Sequence, residues 1–214
     1  MSVFNPKVAL PALVSLALLG CAKEGDITSG GILATRSACP TVAIPAPTGD
    51  ITLFNPETSR DASAIDVVGY LTNVRSTCDE TGEYIVSNVT FDVHAQRRDA
   101  SGARQVVLPY FAVVVQGSDN VVSKSVGRVA LNFAEGELRA STTGSATSQV
   151  LRSAATLPTE IRREITRERK PGDVDAALDP MADPKVRAAV QRASFELLVG
   201  FQLTEEQLRY NATR

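Results

Sequence analysis

The side chains able to do chemistry in this chain of 214 residues are few and scattered. Its one histidine, His94, is the natural general base, because imidazole titrates nearest to neutrality. Asp92 and Gln96 lie two residues to either side, so an extended segment puts all three on one face. No Gly-x-Ser-x-Gly turn accompanies them to present a nucleophile, and His94 reads as a surface histidine. Asp173, Asp175, Asp179 and Asp183 offer the oxygen ligands that Ca²⁺ takes, but their spacing follows no calcium loop. Beside Pro180 and Pro184 they read as turn formers and helix caps. Arg162, Arg163, Arg167, Arg169 and Lys170 make a basic run that could meet lipid phosphate or an acidic partner. Glu160, Glu164 and Glu168 interleave with it, which favours a solvated face. The expectation is therefore no catalytic residue, no metal and no cofactor.

Composition narrows the classes further. A formal net charge of −2 gives no basic footprint for nucleic acid. One His and three Cys do not make a zinc finger or a His-rich metal site. At 43% hydrophobic residues, the chain is long enough to bury a sizeable core.

The start of the chain reads as an address. Lys7 precedes the charge-free stretch VALPALVSLALL over residues 8–19, so residues 1–20 have the form of a secretory signal. As a helix that stretch is about 18 Å long, short of the roughly 30 Å hydrocarbon core of a bilayer. It ends in Leu18-Leu19-Gly20-Cys21, which resembles the lipobox of bacterial lipoproteins. The resemblance implies cleavage before Cys21, a diacylglycerol on its thiol and a further acyl chain on the new amino terminus. Each buried methylene contributes about 0.8 kcal/mol, and more than one chain makes a stable anchor. Ala22, rather than Asp, at the next position implies sorting to the outer membrane, with the domain facing the periplasm. With Cys21 spent on lipid, Cys39 and Cys78 remain, and two cysteines in an exported chain fit one disulfide. Ser118-Asp119-Asn120 resembles the middle motif of the serine β-lactamases. No Ser-x-x-Lys or Lys-Thr-Gly occurs with it, so it reads as a hairpin turn.

The elements that must carry these residues are mostly strands. Residues 22–38 are small, polar and Gly-containing, a flexible tether with a reach of about 20–25 Å. Short β runs follow at 42–44, 51–54 and 65–71. Then comes clean alternation, with Ile85, Ser87, Val89, Phe91, Val93 and Ala95 on one face and Asn88, Thr90, Asp92, His94 and Gln96 on the other. Residues 106–115 are apolar on both faces and predict a central strand, in which Pro109 demands a bulge or a local edge. Residues 121–133 alternate again. With short turns at 99–104 and 116–120, the last three predict an antiparallel meander, and six or seven strands suffice for a β-sandwich over residues 39–157.

Residues 134–156 are rich in Ser, Thr, Ala and Gly and read as a loop, with a weak edge strand at 149–152. Residues 158–170 suit a helix or an edge strand, the helix being preferred for its Glu–Arg spacings. Asp183 and Pro184 then open a helix whose stripe is Val186, Val190, Ala193, Leu197 and Phe201, stopped by Gly200. Thr204 and Gln207 form a capping box for a second helix, with Leu203 and Leu208 as its staple. Residues 158–214 are thus expected to be a helical C-terminal region packed on the sandwich.

Residues 66–98 carry a Gly-x-hydrophobic-x-Asn strand, with Gly69 and Asn73 in the key places, followed by the alternating strand. This resembles the small Ig-like domains of the FxLYD and late-embryogenesis-abundant type, and implies a mainly β, antiparallel Ig-like sandwich with an α-helical C-terminal appendage. Together with the lipobox, the chain resembles uncharacterised proteobacterial envelope lipoproteins. That implies a non-enzymatic outer-membrane lipoprotein, held to the membrane by lipid and working through an envelope protein partner. The alternatives are a binder of lipid or another small apolar ligand, and an unrecognised envelope hydrolase.

Overall fold

The computed structural model describes residues 37–213, save Ser118, Glu168, Pro171 and residues 175–177. The expected signal segment, Cys21 and nearly all of the tether lie outside the described residues. Residues 35–166 and 178–214 form one unit, to which everything below refers unless stated. It is mainly β. One sheet has the order β1 (Thr41–Ala43), β8 (Phe195–Phe201), β5 (Arg104–Gln116), β6 (Asn120–Phe133). The other has the order β2 (Asp50–Phe54), β3 (Ile65–Asp79), β4 (Tyr84–Arg97), β7 (Arg139–Leu151). Every pairing is antiparallel except the three-residue contact of β1 with β8. Among the described residues, no helix is long and apolar enough to cross a membrane.

The core fills the space between the sheets. The alternation of β4 sends Ile85, Val89, Phe91, Val93 and Ala95 inward, against Leu108 and Val114 of β5, Leu131 and Phe133 of β6, and Leu197 and Phe201 of β8. Burying such side chains contributes roughly 1.5–3 kcal/mol each. Gly69 faces this core. A Cβ there would lie 2.9 Å from the Leu108 side chain, so the missing side chain lets the two sheets approach. Pro109 sits at a local edge, as its missing N–H requires. The β8 ladder ends at the pair Tyr110–Phe201, and only the Pro109 carbonyl is used beyond it, by the Gln202 N–H.

Three expectations are corrected. The helix beginning at Pro184 does not reach Gly200. It is α2 (Pro184–Arg192), capped by Asp183, whose carboxylate accepts from the Lys185 N–H, and residues 195–201 are strand β8. Phe195, Leu197, Val199 and Phe201 also alternate with period two, and a short apolar run fits either period. Burial in the sheet decides for the strand, with Leu197, Val199 and Phe201 fully buried.

Second, most of the Ser/Thr/Gly-rich segment is not a loop, and the edge strand expected at 149–152 begins at Arg139. It is β7, paired with β4 across thirteen positions. Its inward residues are small because rings from other strands occupy their space. A Cβ on Gly144 would lie 2.3 Å from the Phe91 ring, and the Tyr110 hydroxyl donates to the Ser145 carbonyl.

Third, β4, β5 and β6 are not a meander. Only β5 and β6 pair, and the segment after β4 crosses to the other sheet. The segment 134–138 crosses back, lying against the first. Arg97 joins the two and is 2% exposed. Its guanidinium donates to the carbonyls of Ala100 and Gly102 in one crossover, and of Ala134 and Glu137 in the other. It also lies 5.2 Å from the Phe133 ring centroid. Beside it, the Ser101 hydroxyl and amide, and then the charge of Arg97, hold the Asp99 carboxyl below its ordinary value.

The remaining helices are short. The segment preferred as a helix over 158–170 contains α1 (Thr159–Thr166). The capping box forms as expected at α3 (Glu205–Thr213). Thr204 N–H donates to Gln207, and Gln207 N–H donates to the Thr204 hydroxyl. Tyr210 of α3 packs edge-on against Phe54, and the Asn211 amide donates to the carbonyls of Pro47 and Asp50. These contacts dock the helix on β2.

Candidate functional site

Cys39 and Cys78 form a disulfide. Cys39 leads into β1 of one sheet and Cys78 lies near the end of β3 in the other, so the bond joins the two sheets at an edge. The nearby Asp79 accepts from the amide and hydroxyl of Thr81, which hold its carboxyl below the ordinary value.

The other sequence-predicted candidates separate. Asp179 caps a 3₁₀ turn by accepting from the Met181 N–H, and Asp183 caps α2. Asp173 lies outside the unit described above, where it accepts from the Lys170 N–H. Asp175 and Ser118 are outside the described residues. Among the described residues, no group of three His, Cys, Asp or Glu side chains is placed to hold a metal ion. In the basic run, Arg162 turns back to the Leu157 carbonyl; Arg167 and Arg169, which lie outside the unit described above, also have partners.

His94 is exposed on the outer face of the β2–β3–β4–β7 sheet. Strand register, rather than sequence proximity, decides its neighbours. Tyr70, His94 and Ser141 lie side by side across β3, β4 and β7. The rung on one side is Val68, Gln96 and Arg139; on the other it is Thr72, Asp92 and Thr143. This brings a histidine beside a serine, with a carboxylate one rung away, but not as a relay. Asp92 accepts from the Asn73 amide at 2.7 Å and from the Thr143 hydroxyl at 3.4 Å. Asn73 reaches it from a left-handed backbone position, φ 50°, at the bulge of β3, and receives in turn from Arg75. Among the described residues, no hydrogen bond links His94 to Ser141 or to Asp92. A base that is to activate a serine needs that reach.

Comparison with protein-family models, curated proteins and solved structures finds no match for this chain. What the face can do must come from its own geometry. Two open depressions adjoin it, sharing Tyr70 and Gln96. One, of about 500 Å³, is lined by Tyr70, His94, Gln96, Arg139 and Ser141; the other, of about 380 Å³, by Tyr70, Gln96, Ile65, Asp66 and Arg98. At the rim of the second, Arg104 grips Asp66 through both guanidinium nitrogens at 2.7 and 2.6 Å. That hydrogen bonding raises the Arg104 pKa above its ordinary value. The arrangement suits binding at a polar surface. Tyr70, Arg139 and Ser141 were not singled out from the sequence, because two of the three stand on the strand that reads as a loop.

Proposed function

We propose that this protein is a non-catalytic, outer-membrane-anchored periplasmic lipoprotein whose sandwich works by contact with an envelope protein partner. The observation that carries this reading is the Cys39–Cys78 bridge. Disulfides persist in exported proteins, and the bridge uses the two cysteines left once Cys21, at the Leu-Leu-Gly-Cys junction, is assigned to lipid. The filled space between the sheets supports a contact role over a lumen for an apolar ligand. The engagement of Asp92 by Asn73 and Thr143 supports it over a hydrolase built on His94. The Ig-like assignment belongs to the same reading, supported by the two four-stranded sheets and by the roles of Gly69 and Asn73.

The test is Cys21→Ser in the full chain. The variant is expected to lose its acyl mass and move from the membrane to the soluble periplasmic fraction. It should also lose the partner that crosslinking recovers with the wild type from native membranes. Unchanged membrane fractionation would overturn the reading.

A further inference from the structure

We propose that the outer face of the β2–β3–β4–β7 sheet binds an anionic saccharide, a sugar ring stacked on Tyr70 with its carboxylate or phosphate held by Arg139. This goes beyond the envelope reading and does not depend on it. Tyr70 is 48% exposed, in the middle of a polar sheet surface. A tyrosine there offers a rigid flat face and a hydroxyl at little conformational cost.

Around it stand groups that suit a hydroxyl-rich ligand: the His94 ring, the Gln96 amide and the Ser141 hydroxyl, placed by register across three strands. Their strands are about 4.8 Å apart, and alternate residues along a strand about 6.8 Å. Tyr70 and Arg139 are two strands and one rung apart, so their backbone positions are separated by about 12 Å, an extended binding surface.

The charge indicates the sign of the ligand. Arg98 and Arg139, one at each depression, are exposed, and neither side chain has a hydrogen bond or ion pair among the described residues. The acids of this face are already engaged, Asp66 by Arg104, Asp92 by Asn73 and Thr143, and Asp50, directly across from Tyr70 on β2, with a partner of its own. A guanidinium fork without a partner is matched by a carboxylate or a phosphate. A flat ring and several hydroxyls are matched by the rest of the platform.

The experiment titrates the full chain with trigalacturonate, glucose 6-phosphate, neutral maltotriose and a hexaglutamate peptide, and follows the His94 ring resonances. Saturable binding of an acidic sugar that shifts His94 is expected, at least tenfold tighter than maltotriose. Tyr70→Ala and Arg139→Gln should each weaken it at least tenfold with melting unchanged. Arg128→Gln, on the other sheet, should leave it intact. Preference for the uronate would assign a carboxylated sugar, and preference for the phosphate ester a phosphorylated one. The proposal is overturned if neither acidic sugar binds saturably, if His94 does not respond, if both variants bind like wild type, or if hexaglutamate binds as tightly.

Discussion

Replacing Arg97 with methionine is expected to destabilise the domain by about 3–5 kcal/mol, the cost of losing a buried charged donor to backbone carbonyls. Arg97 ends β4 on its inward face and donates to four backbone carbonyls divided between two crossovers. Methionine fills much of the volume but takes the charged donor from all four carbonyls, of which those of Ala100 and Ala134 keep a backbone donor, the N–H of Gly136 and of Glu137; hydrogen bonds to a charged group contribute about 1.5–3 kcal/mol each. The two crossovers also touch directly, the Gly136 N–H donating to the Ala100 carbonyl, so losing the clamp loosens both sheet connections together. For a domain of this size the melting temperature should fall by about 6–20 °C. Arg97→Lys keeps the charge but not the planar fork, and should fall between the two. A melting temperature for Arg97→Met within about 2 °C of wild type would show that solvent satisfies the carbonyls equally well.

The next largest effect is expected from the disulfide. Opening it in a Cys39→Ser, Cys78→Ser double variant should cost about 4 kcal/mol by the loop-entropy relation, for residues 39 apart in sequence. The loss should be local as well as global. β1 meets β8 at three positions only, so without the bond its hold on the sheet is a short parallel ladder at an edge. Hydrogen exchange should accelerate first at residues 41–43, while the amides of β4 and β5 stay protected until global unfolding. Unchanged melting after full reduction, confirmed by alkylation of both thiols, would contradict this.

Much of the fold was legible where side chains alternate cleanly. The inward and outward faces of β4 follow from residues 85–96 alone, and continuing that alternation by one step puts Arg97 inside. A charged residue on the apolar face of a strand was the available signal for the clamp. β7 was legible only at its end, around Val150, because its other interior positions are Ala, Thr, Gly and Ser. They carry no hydrophobic period, since Phe91 and Tyr110 fill their share of the core from elsewhere. β8 was ambiguous because Leu197 and Phe201 satisfy a helical and a strand period at once, and only partners far away in sequence decide. The cross-strand row of Tyr70, His94 and Ser141 depends on register, which no local pattern in β7 announces. The caps at Asp183 and Thr204 were legible because they depend on residues within three positions of each other.

As proposed, the protein is a lipid-anchored exported domain closed by the Cys39–Cys78 disulfide. The most direct measurement is the intact mass of the chain purified from native membranes, without reduction. The expected species is a polypeptide beginning at Cys21, heavier by a diacylglycerol and a further acyl chain, and lighter by two hydrogens for Cys39–Cys78. An unacylated amino terminus, retention of the residues before Cys21, or two thiols open to alkylation would contradict it.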